Sequence, residues 1–297
     1  MKEKNSRSIT RRQAILSIAA ISAGTLIKPV SSFCAPVKDK LRFAVVGDWG
    51  TGDQDCIGTA RRMLGAHQNS QFDFVIAAGD NVYPNGSGRY FNSHFEQPFA
   101  GMIKDRVPFY AVLGNHDVEE GRQDQCQYPL FNMAGKNYYS IKQGDNLAEL
   151  FMLDSTDLDQ TQMNWVDQAL RSSTAKWKIV VLHHPIYSSG KKHGSSMRLR
   201  KQLEPLFVRY GVNAVFSGHD HIYERTKPQQ GVQYFVTGAG GKTRRGNIDL
   251  KSSFRETSFD EDNHFMLIEV EDRQISFQAI SETGTIVDSG LISSHRP

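Results

Sequence analysis

Five short segments of the chain combine glycine with carboxylate, amide, phenol or imidazole side chains, the groups that proteins use to bind metal ions. These segments are Asp48-Trp49-Gly50, Gly79-Asp80-Asn81-Val82-Tyr83, Gly114-Asn115-His116-Asp117, His183-His184-Pro185 and Gly218-His219-Asp220-His221. Carboxylate, amide and imidazole ligands together favour first-row transition metals over Mg²⁺ or Ca²⁺. The set is larger than one tetrahedral ion needs, so it predicts two ions that share a bridging carboxylate. A structural zinc site is the alternative, but such sites are rich in cysteine and these segments are not.

Each segment directly follows an apolar run that has the length and β-branching of a buried strand; the runs end at residues 46, 78, 113, 182 and 216. Binding sites in open α/β sheets form outside the carboxyl ends of strands, so we expect the five segments to converge. Amphipathic stretches at 56–67, 161–172 and 197–210 predict helices, and short strands follow residue 231. The pattern predicts one catalytic domain over 36–297 with an α/β fold, a four-layer α/β/β/α sandwich of two mixed β-sheets flanked by helices.

The five segments resemble the motif series of the calcineurin-like metallophosphoesterases, and more narrowly that of the small, tartrate-resistant purple acid phosphatases. The series reads Asp-x-Gly, Gly-Asp-x-x-Tyr, Gly-Asn-His-Asp/Glu, Val-x-x-His and Gly-His-x-His, and all five motifs are intact and in order between residues 48 and 221. The resemblance implies metal ligation by Asp48, Asp80, Tyr83, Asn115, His183, His219 and His221.

Gly50 and Tyr83 distinguish this chain from most of the wider superfamily, which has Asp-x-His as the first motif and no tyrosine in the second. A phenolate ligand favours a hard, highly charged ion, which points to Fe(III). The resemblance implies that Asp48, Tyr83 and His221 hold Fe(III) and that Asp80 bridges the two ions. A divalent Fe, Zn or Mn ion would then be held by the remaining ligands, Asn115, His183 and His219.

The resemblance also implies the reaction, which is hydrolysis of phosphate monoesters in small phosphorylated substrates by in-line attack of a metal-bound hydroxide. His116 would stabilise the transition state or protonate the leaving oxygen, and His193 resembles a second active-site histidine of the small members. His184 is expected to pack on the opposite face if its strand continues. A phosphodiesterase acting on cyclic nucleotides or phospholipid head groups is the second enzyme hypothesis. A non-hydrolytic iron-binding or redox protein is the third.

Residues 1–35 have the features of an export signal: a basic start, an apolar run at 14–21 and a Ser/Gly/Pro-rich end. Thr10-Arg11-Arg12-Gln13 resembles the bacterial twin-arginine signal, which predicts the twin-arginine export machinery as a partner and a periplasmic or secreted location. A disordered basic tail or an amphipathic anchor is the alternative. The apolar run is shorter than the roughly 20 residues of a membrane span, so we expect no stable membrane anchor.

Charge is concentrated in that segment, which holds six of the 35 basic and one of the 32 acidic residues. The remaining 29 basic and 31 acidic residues nearly cancel, so we expect no nucleic-acid partner. The basic clusters at 191–192, 198–200 and 242–245 are better interpreted as solvated surface than as anion-binding groups. Cys56 and Cys126 could pair in an oxidising compartment, and two buried thiols are the equally weighted alternative.

Overall fold

The computed structural model describes residues 40–294, and within this range thirteen strands form two mixed sheets. The strands are β1 Lys40–Val46, β2 Phe74–Ala77, β3 Phe109–Ala111, β4 Tyr139–Gln143, β5 Ala148–Met152, β6 Trp177–Val181, β7 Ala214–Ser217, β8 Tyr223–Thr226, β9 Gln233–Thr237, β10 Arg255–Phe259, β11 His264–Glu271, β12 Gln274–Ser281 and β13 Ile286–Ser293. The export signal predicted for 1–35 lies outside the described residues. No helix within 40–294 has the length and apolar character needed to cross a bilayer.

The first sheet has six strands in the order β13-β12-β11-β1-β2-β3. Strands β1, β2 and β3 are parallel to one another, and the C-terminal meander of β11, β12 and β13 joins β1 antiparallel. The second sheet has seven strands in the order β10-β8-β9-β7-β6-β5-β4. Its central strands β5, β6, β7 and β9 are parallel. Strand β4 pairs antiparallel with β5 at one edge, β8 pairs antiparallel with β9, and the other edge strand β10 pairs antiparallel with β8. Parallel strands end at one edge, which is where the proposed ligand loops begin.

Three long helices connect strands of the two sheets: α1 Gln54–Asn69, α5 Gln160–Ser172 and α6 Met197–Tyr210. Short helices lie between β2 and β4, namely α2 Ala100–Lys104, α3 Asp117–Glu120 and α4 Arg122–Gln127. Each long helix begins after a residue whose side chain accepts a backbone N–H of the first turn: Asp53, Asp159 and Ser196. Gly211 ends α6 in the left-handed conformation at φ 66°.

The core lies on both faces of the second sheet, because successive residues of its central strands pack in opposite directions. Leu150 and Ile179 belong to the core shared with the first sheet, whereas their neighbours Phe151 and Val180 pack with α5 and α6. Burial on both faces explains why these strands read as continuous apolar runs. The two mixed sheets and their helices confirm the predicted α/β sandwich.

Cys56 and Cys126 are free thiols, each buried in the core. Burial raises the pKa of Cys56 to about 12 and that of Cys126 to about 11, so both stay protonated at neutral pH. The structure therefore contains two buried thiols rather than a Cys56–Cys126 disulfide.

Candidate active site

The five predicted segments meet at one place, at the carboxyl edge of both sheets. Three follow β1, β2 and β3 of the first sheet, and two follow β6 and β7 of the second. Backbone hydrogen bonds hold them together: Asp48 N donates to Gly79 O at 2.9 Å, and Gly218 N donates to His183 O at 3.0 Å. The predicted convergence is confirmed, and the site spans the junction between the sheets.

Three of the predicted ligands have backbone conformations that non-glycine residues rarely adopt. The φ angles are 53° at Asp48, 49° at Asp80 and 71° at His219. Such left-handed residues cost of order 1–3 kcal/mol each and concentrate at functional sites. Gly79, at φ 88°, also keeps the loops close, since a Cβ there would lie 2.5 Å from His183 Nδ1. The fold thus holds strained loops where the polar groups meet.

The hydroxyl of Tyr83 lies among three atoms that can accept a hydrogen bond. Its oxygen is 3.3 Å from Asp48 Oδ1, 3.0 Å from Asp80 Oδ2 and 3.4 Å from His221 Nε2. His221 Nε2 is also 3.4 Å from Asp48 Oδ1. One hydroxyl proton cannot satisfy three acceptors. Ligand atoms at about 2.0–2.2 Å from a common ion lie roughly 3 Å from one another, so these four atoms are spaced as ligands of one ion.

A second group of polar atoms surrounds the ring of His183, which is fully buried. Its Nδ1 donates to Ala78 O at 3.0 Å, because a carbonyl oxygen can only accept. In the neutral ring, Nε2 therefore carries a lone pair, yet it faces two oxygens, Asn115 Oδ1 at 3.2 Å and Asp80 Oδ1 at 3.5 Å. The His219 ring lies 5.1 Å from the His183 ring. A carbonyl bond that fixes the tautomer is typical of metal-binding histidines.

Asp80 belongs to both groups, because its two carboxylate oxygens face different neighbours. Oδ2 lies beside Tyr83 OH, whereas Oδ1 lies beside His183 Nε2. Candidate ligand atoms of Asp48, Asp80 and His183 also lie within 4.8 Å of one another. A carboxylate shared between two sets of donors has the placement of a bridging ligand.

The charges of these groups suit a bound cation. Burial raises the pKa of Asp48 and of Tyr83 well above their usual values. Burial lowers the pKa of His219 and brings that of His221 to about 4, so both rings are neutral at physiological pH. Burial also tends to lower the pKa of His183, but the carboxylates of Asp80 and Asp48 outweigh this effect, so the pKa of His183 is raised. Buried acids beside neutral imidazoles are a donor set that a metal ion would stabilise.

Residues 41–223 of the chain match the calcineurin-like phosphoesterase family. Tartrate-resistant acid phosphatase type 5 of Rattus norvegicus is 29% identical over 252 residues, which cover 72% of this chain and 77% of that protein. Purple acid phosphatase 17 of Arabidopsis thaliana is 30% identical over 250 residues, covering 73% and 74% respectively. The chain belongs to the purple acid phosphatases of the calcineurin-like phosphoesterase family. It is therefore an acid phosphatase.

The fold of this phosphatase is shared more widely than its sequence. The structure of GAP50, the anchor in the inner membrane complex of Plasmodium, aligns with a TM-score of 0.78 at 22% identity, covering 87% of this chain and 90% of that one. At that identity the likeness concerns the fold alone.

Gly50 and Tyr83 of the phosphatase depend on each other. Tyr83 N donates to Gly50 O at 2.9 Å. A Cβ at residue 50 would lie 1.7 Å from Asn81 O and 2.8 Å from Val82 N. A histidine at position 50 would therefore displace the segment that places the Tyr83 hydroxyl beside Asp48. This close packing gives a physical reason why glycine in the first motif accompanies tyrosine in the second.

Asp117 has a structural role that the sequence reasoning missed. Its fully buried carboxylate accepts from the backbone N–H groups of Asn81 at 2.9 Å, Val82 at 3.1 Å and Gly114 at 2.8 Å. It also accepts from Asn81 Nδ2 at 3.1 Å and Gln125 Nε2 at 2.7 Å. Burial raises its pKa to about 6. Asp117 thus joins the loop after β2 to the loop after β3. In the sequence, the only indication of this role is the position of Asp117 in the third motif.

The two predicted catalytic histidines border opposite groups of ligands. His116 lies over Tyr83 at a ring distance of 4.7 Å, and its Nδ1 donates to Pro84 O at 2.6 Å. His193 lies 4.2 Å from the His219 ring, and partial burial lowers its pKa. Both are thus brought to the site from separate loops.

His184 does not point away from the site as predicted. Strand β6 ends at Val181, so the alternation of side chains does not extend to residue 184. Its ring lies 4.4 Å from that of His219, and its Nδ1 is 2.9 Å from Ser155 Oγ. Burial lowers its pKa to about 3, so His184 is a neutral packing partner of His219.

Proposed function

We propose that this chain is an exported binuclear phosphatase that hydrolyses small phosphate monoesters. In this proposal Asp48, Tyr83 and His221 would hold Fe(III), and Asp80 would be shared with a divalent Fe, Zn or Mn ion. Asn115, His183 and His219 would hold that divalent ion. The observation that carries the proposal is the split of Asp80, which directs Oδ2 to Tyr83 OH at 3.0 Å and Oδ1 to His183 Nε2 at 3.5 Å.

The side chains around the two ligand groups have separate tasks. When bound, the ions supply Lewis acidity, which polarises a phosphate ester and lowers the pKa of a water molecule. The Pro84 carbonyl accepts from His116 Nδ1 and fixes the ring, so the doubly protonated ring would present an Nε2–H that can pass its proton to the leaving oxygen. His193, beside His219, would donate to a phosphate oxygen from the other side. The Ala78 carbonyl keeps the proton of His183 on Nδ1, so Nε2 remains free to bind.

Metal content in three variants tests the bridge. Asp80→Asn should lower the content of both ions, because one carboxylate serves both groups. Asp48→Asn should lower chiefly iron, and Asn115→Ala chiefly the divalent metal. Loss of a single ion in Asp80→Asn, with the other retained in full, would contradict the bridging assignment.

Substrate class and catalysis are tested by rates on phenyl phosphate and on bis(4-nitrophenyl) phosphate at acidic and neutral pH. The proposal predicts faster hydrolysis of the monoester at acidic pH. Faster hydrolysis of the diester would instead support a phosphodiesterase. His116→Ala should lower the rate about 10²–10⁴-fold with metal retained. An unchanged rate in that variant would remove His116 from the reaction.

Export rests on the basic, apolar and small-residue pattern of residues 1–35. Replacement of Arg11 and Arg12 together by lysine keeps the charge while removing the twin-arginine pair. We expect the full-length chain to accumulate in the periplasmic fraction of a bacterial host and the double variant to remain in the cytoplasm. Equal periplasmic amounts would exclude the twin-arginine route.

A further inference from the structure

Two loops of the second sheet are joined beside the proposed ligands; we call residues 188–194 and 242–249 together the basic wall. Asp249 N donates to Ser189 O at 2.8 Å, and Gly190 and Ile248 form a β-bridge. Asn247 accepts two hydrogen bonds from the backbone of the other loop. Its carbonyl oxygen accepts from Lys191 N at 2.6 Å, and its Oδ1 accepts from Lys192 N at 3.0 Å. These bonds make the two loops one structural unit.

The basic wall lies directly against the proposed metal centre. His193 contributes the ring 4.2 Å from that of His219. Arg244 N donates to the carbonyl of His221 at 3.0 Å. Two glycines that precede Arg244 in the chain pack tightly against the loop after β1. Gly241 N donates to Asp48 O at 3.0 Å, and a Cβ on Gly240 would lie 2.7 Å from Trp49 Cβ. The backbone of Arg244 is therefore fixed at the edge of the site.

Arg244 is the one partly buried arginine within residues 40–294 whose guanidinium has neither a hydrogen-bond nor an ionic partner, and its Nη1 is fully buried. The other partly buried arginines of that range all donate to a carboxylate or carbonyl oxygen: Arg42, Arg122, Arg200, Arg225 and Arg255. A buried guanidinium nitrogen without an acceptor is costly, which indicates that its acceptor is a group the protein does not supply.

The carboxylate of Asp220, which is bonded to the wall, does not supply that acceptor. The buried carboxylate of Asp220 accepts through Oδ2 from Ser188 Oγ at 2.6 Å and Gly194 N at 3.0 Å, and it makes no ion pair with Arg244 among the described residues. Lys242 and Lys192 are exposed on the same wall. By contrast, the neighbouring guanidinium of Arg245 is occupied by Glu261 O, at 3.1 Å and 2.8 Å.

The positive charges of the wall lie beside the site. Arg244 is bonded through its backbone to the proposed ligand His221, and Lys192 directly precedes His193, whose ring lies 4.2 Å from that of His219. Part of the predicted solvated basic surface is thus a cationic border of the active site.

We propose that Arg244, with Lys242 and Lys192, binds a second anionic group on the substrate, so that the enzyme prefers phosphate monoesters whose leaving group carries a carboxylate or another phosphate. The inference rests on the proposed phosphatase function. In the proposed centre two metal ions would neutralise the transferred phosphoryl group, so further cations at the border suit a charge elsewhere on the substrate. Arginine forms a two-pronged pair with either oxyanion.

A matched pair of substrates isolates that second charge. Glycerol 3-phosphate and 3-phosphoglycerate have the same primary alkoxide leaving group and differ in a terminal hydroxymethyl or carboxylate. The quantity to measure is the ratio of kcat/KM for 3-phosphoglycerate to kcat/KM for glycerol 3-phosphate. We expect the ratio to fall about 10-fold or more in Arg244→Gln, as expected for loss of one charged hydrogen-bonded pair. In Lys242→Gln, an exposed site where folding is not at risk, the ratio should fall about threefold.

Arg245→Gln is the matched control. It removes the same charge from the neighbouring residue, whose guanidinium is already bonded to Glu261 O. The ratio of the two kcat/KM values in this variant should stay within about twofold of the wild-type ratio. An equal fall in both kcat/KM values for Arg244→Gln, or an unchanged ratio in both Arg244→Gln and Lys242→Gln, would overturn the second-anion assignment. A wild-type enzyme that hydrolyses neither substrate nor phenyl phosphate would instead overturn the phosphatase proposal itself.

Discussion

Asp117 should be the most sensitive position for stability near the site, although it is not a proposed ligand. Asp117→Ala removes the acceptor of three buried backbone N–H groups, those of Asn81, Val82 and Gly114. Each buried donor left without an acceptor costs about 1–3 kcal/mol, and water entering the space restores part of this. We expect the free energy of unfolding to fall by about 3–5 kcal/mol.

The same substitution should loosen the site, because Asn81 follows Asp80 and Gly114 precedes Asn115. Urea unfolding followed by circular dichroism gives the stability change, and metal analysis of the folded protein reports the effect on both ligand groups. Asp124→Asn is the control, since Asp124 accepts one exposed bond from Gly88 N at 3.0 Å, and it should cost under about 1 kcal/mol. A loss below about 1 kcal/mol in Asp117→Ala, with full metal content, would refute this account of the loops.

Three further perturbations have defined outcomes. Gly50→Ala places a Cβ 1.7 Å from Asn81 O, so it should destabilise by about 1–3 kcal/mol and weaken visible absorption by iron; a stable, fully coloured variant would contradict the close packing. Burial lowers the pKa of His264 from 6.5 to about 3 in the folded protein. Below about pH 6.5 the unfolded chain therefore binds a proton at this histidine that the folded protein does not, so stability should fall as the pH drops. Between pH 7.5 and 4.5 the wild type should lose about 3 kcal/mol more than His264→Gln in chemical unfolding, and equal losses would exclude this role. Removal of metal by a chelator should lower the melting temperature of the wild type, because free metal at 100 times its Kd stabilises the folded state by about 2.7 kcal/mol. An unchanged Tm would argue against bound metal.

The central part of the site was predictable because ligand types and strand ends are both visible in the chain. Apolar runs predicted β1, β2, β3, β6 and β7 within one or two residues of their observed ends. The motifs after them then placed the candidate ligands at one edge, where Asp80 and Tyr83 are indeed in contact. Parallel strands with both faces buried are the elements whose sequence signal is strongest.

Strands with mixed composition were not predicted. Strand β4 has the sequence Tyr-Ser-Ile-Lys-Gln, β8 reads Tyr-Glu-Arg-Thr and β10 reads Arg-Glu-Thr-Ser-Phe, none of which is an apolar run. All three lie at or near the edges of the second sheet. Their pairing depends on neighbouring strands that are distant in sequence, which local patterns do not report.

Tertiary contacts also decided the roles of individual polar residues. The sequence identifies Asp117 only as the last residue of the third motif and Arg244 only as a member of a basic cluster. Asp117 is surrounded by five donors, whereas the buried Nη1 of Arg244 has no acceptor among residues 40–294. His184 shows the same limit, because its direction depended on where β6 ends. Burial and partners are properties of the fold rather than of the motif.

Metal analysis combined with a visible spectrum, on protein purified without added metal, would establish whether the chain holds the proposed pair of ions. We predict two ions per chain, at least one of them iron, and an absorption band from the Tyr83 phenolate that disappears in Tyr83→Phe. A single bound ion, or an iron-containing protein whose spectrum is unaffected by Tyr83→Phe, would contradict this prediction.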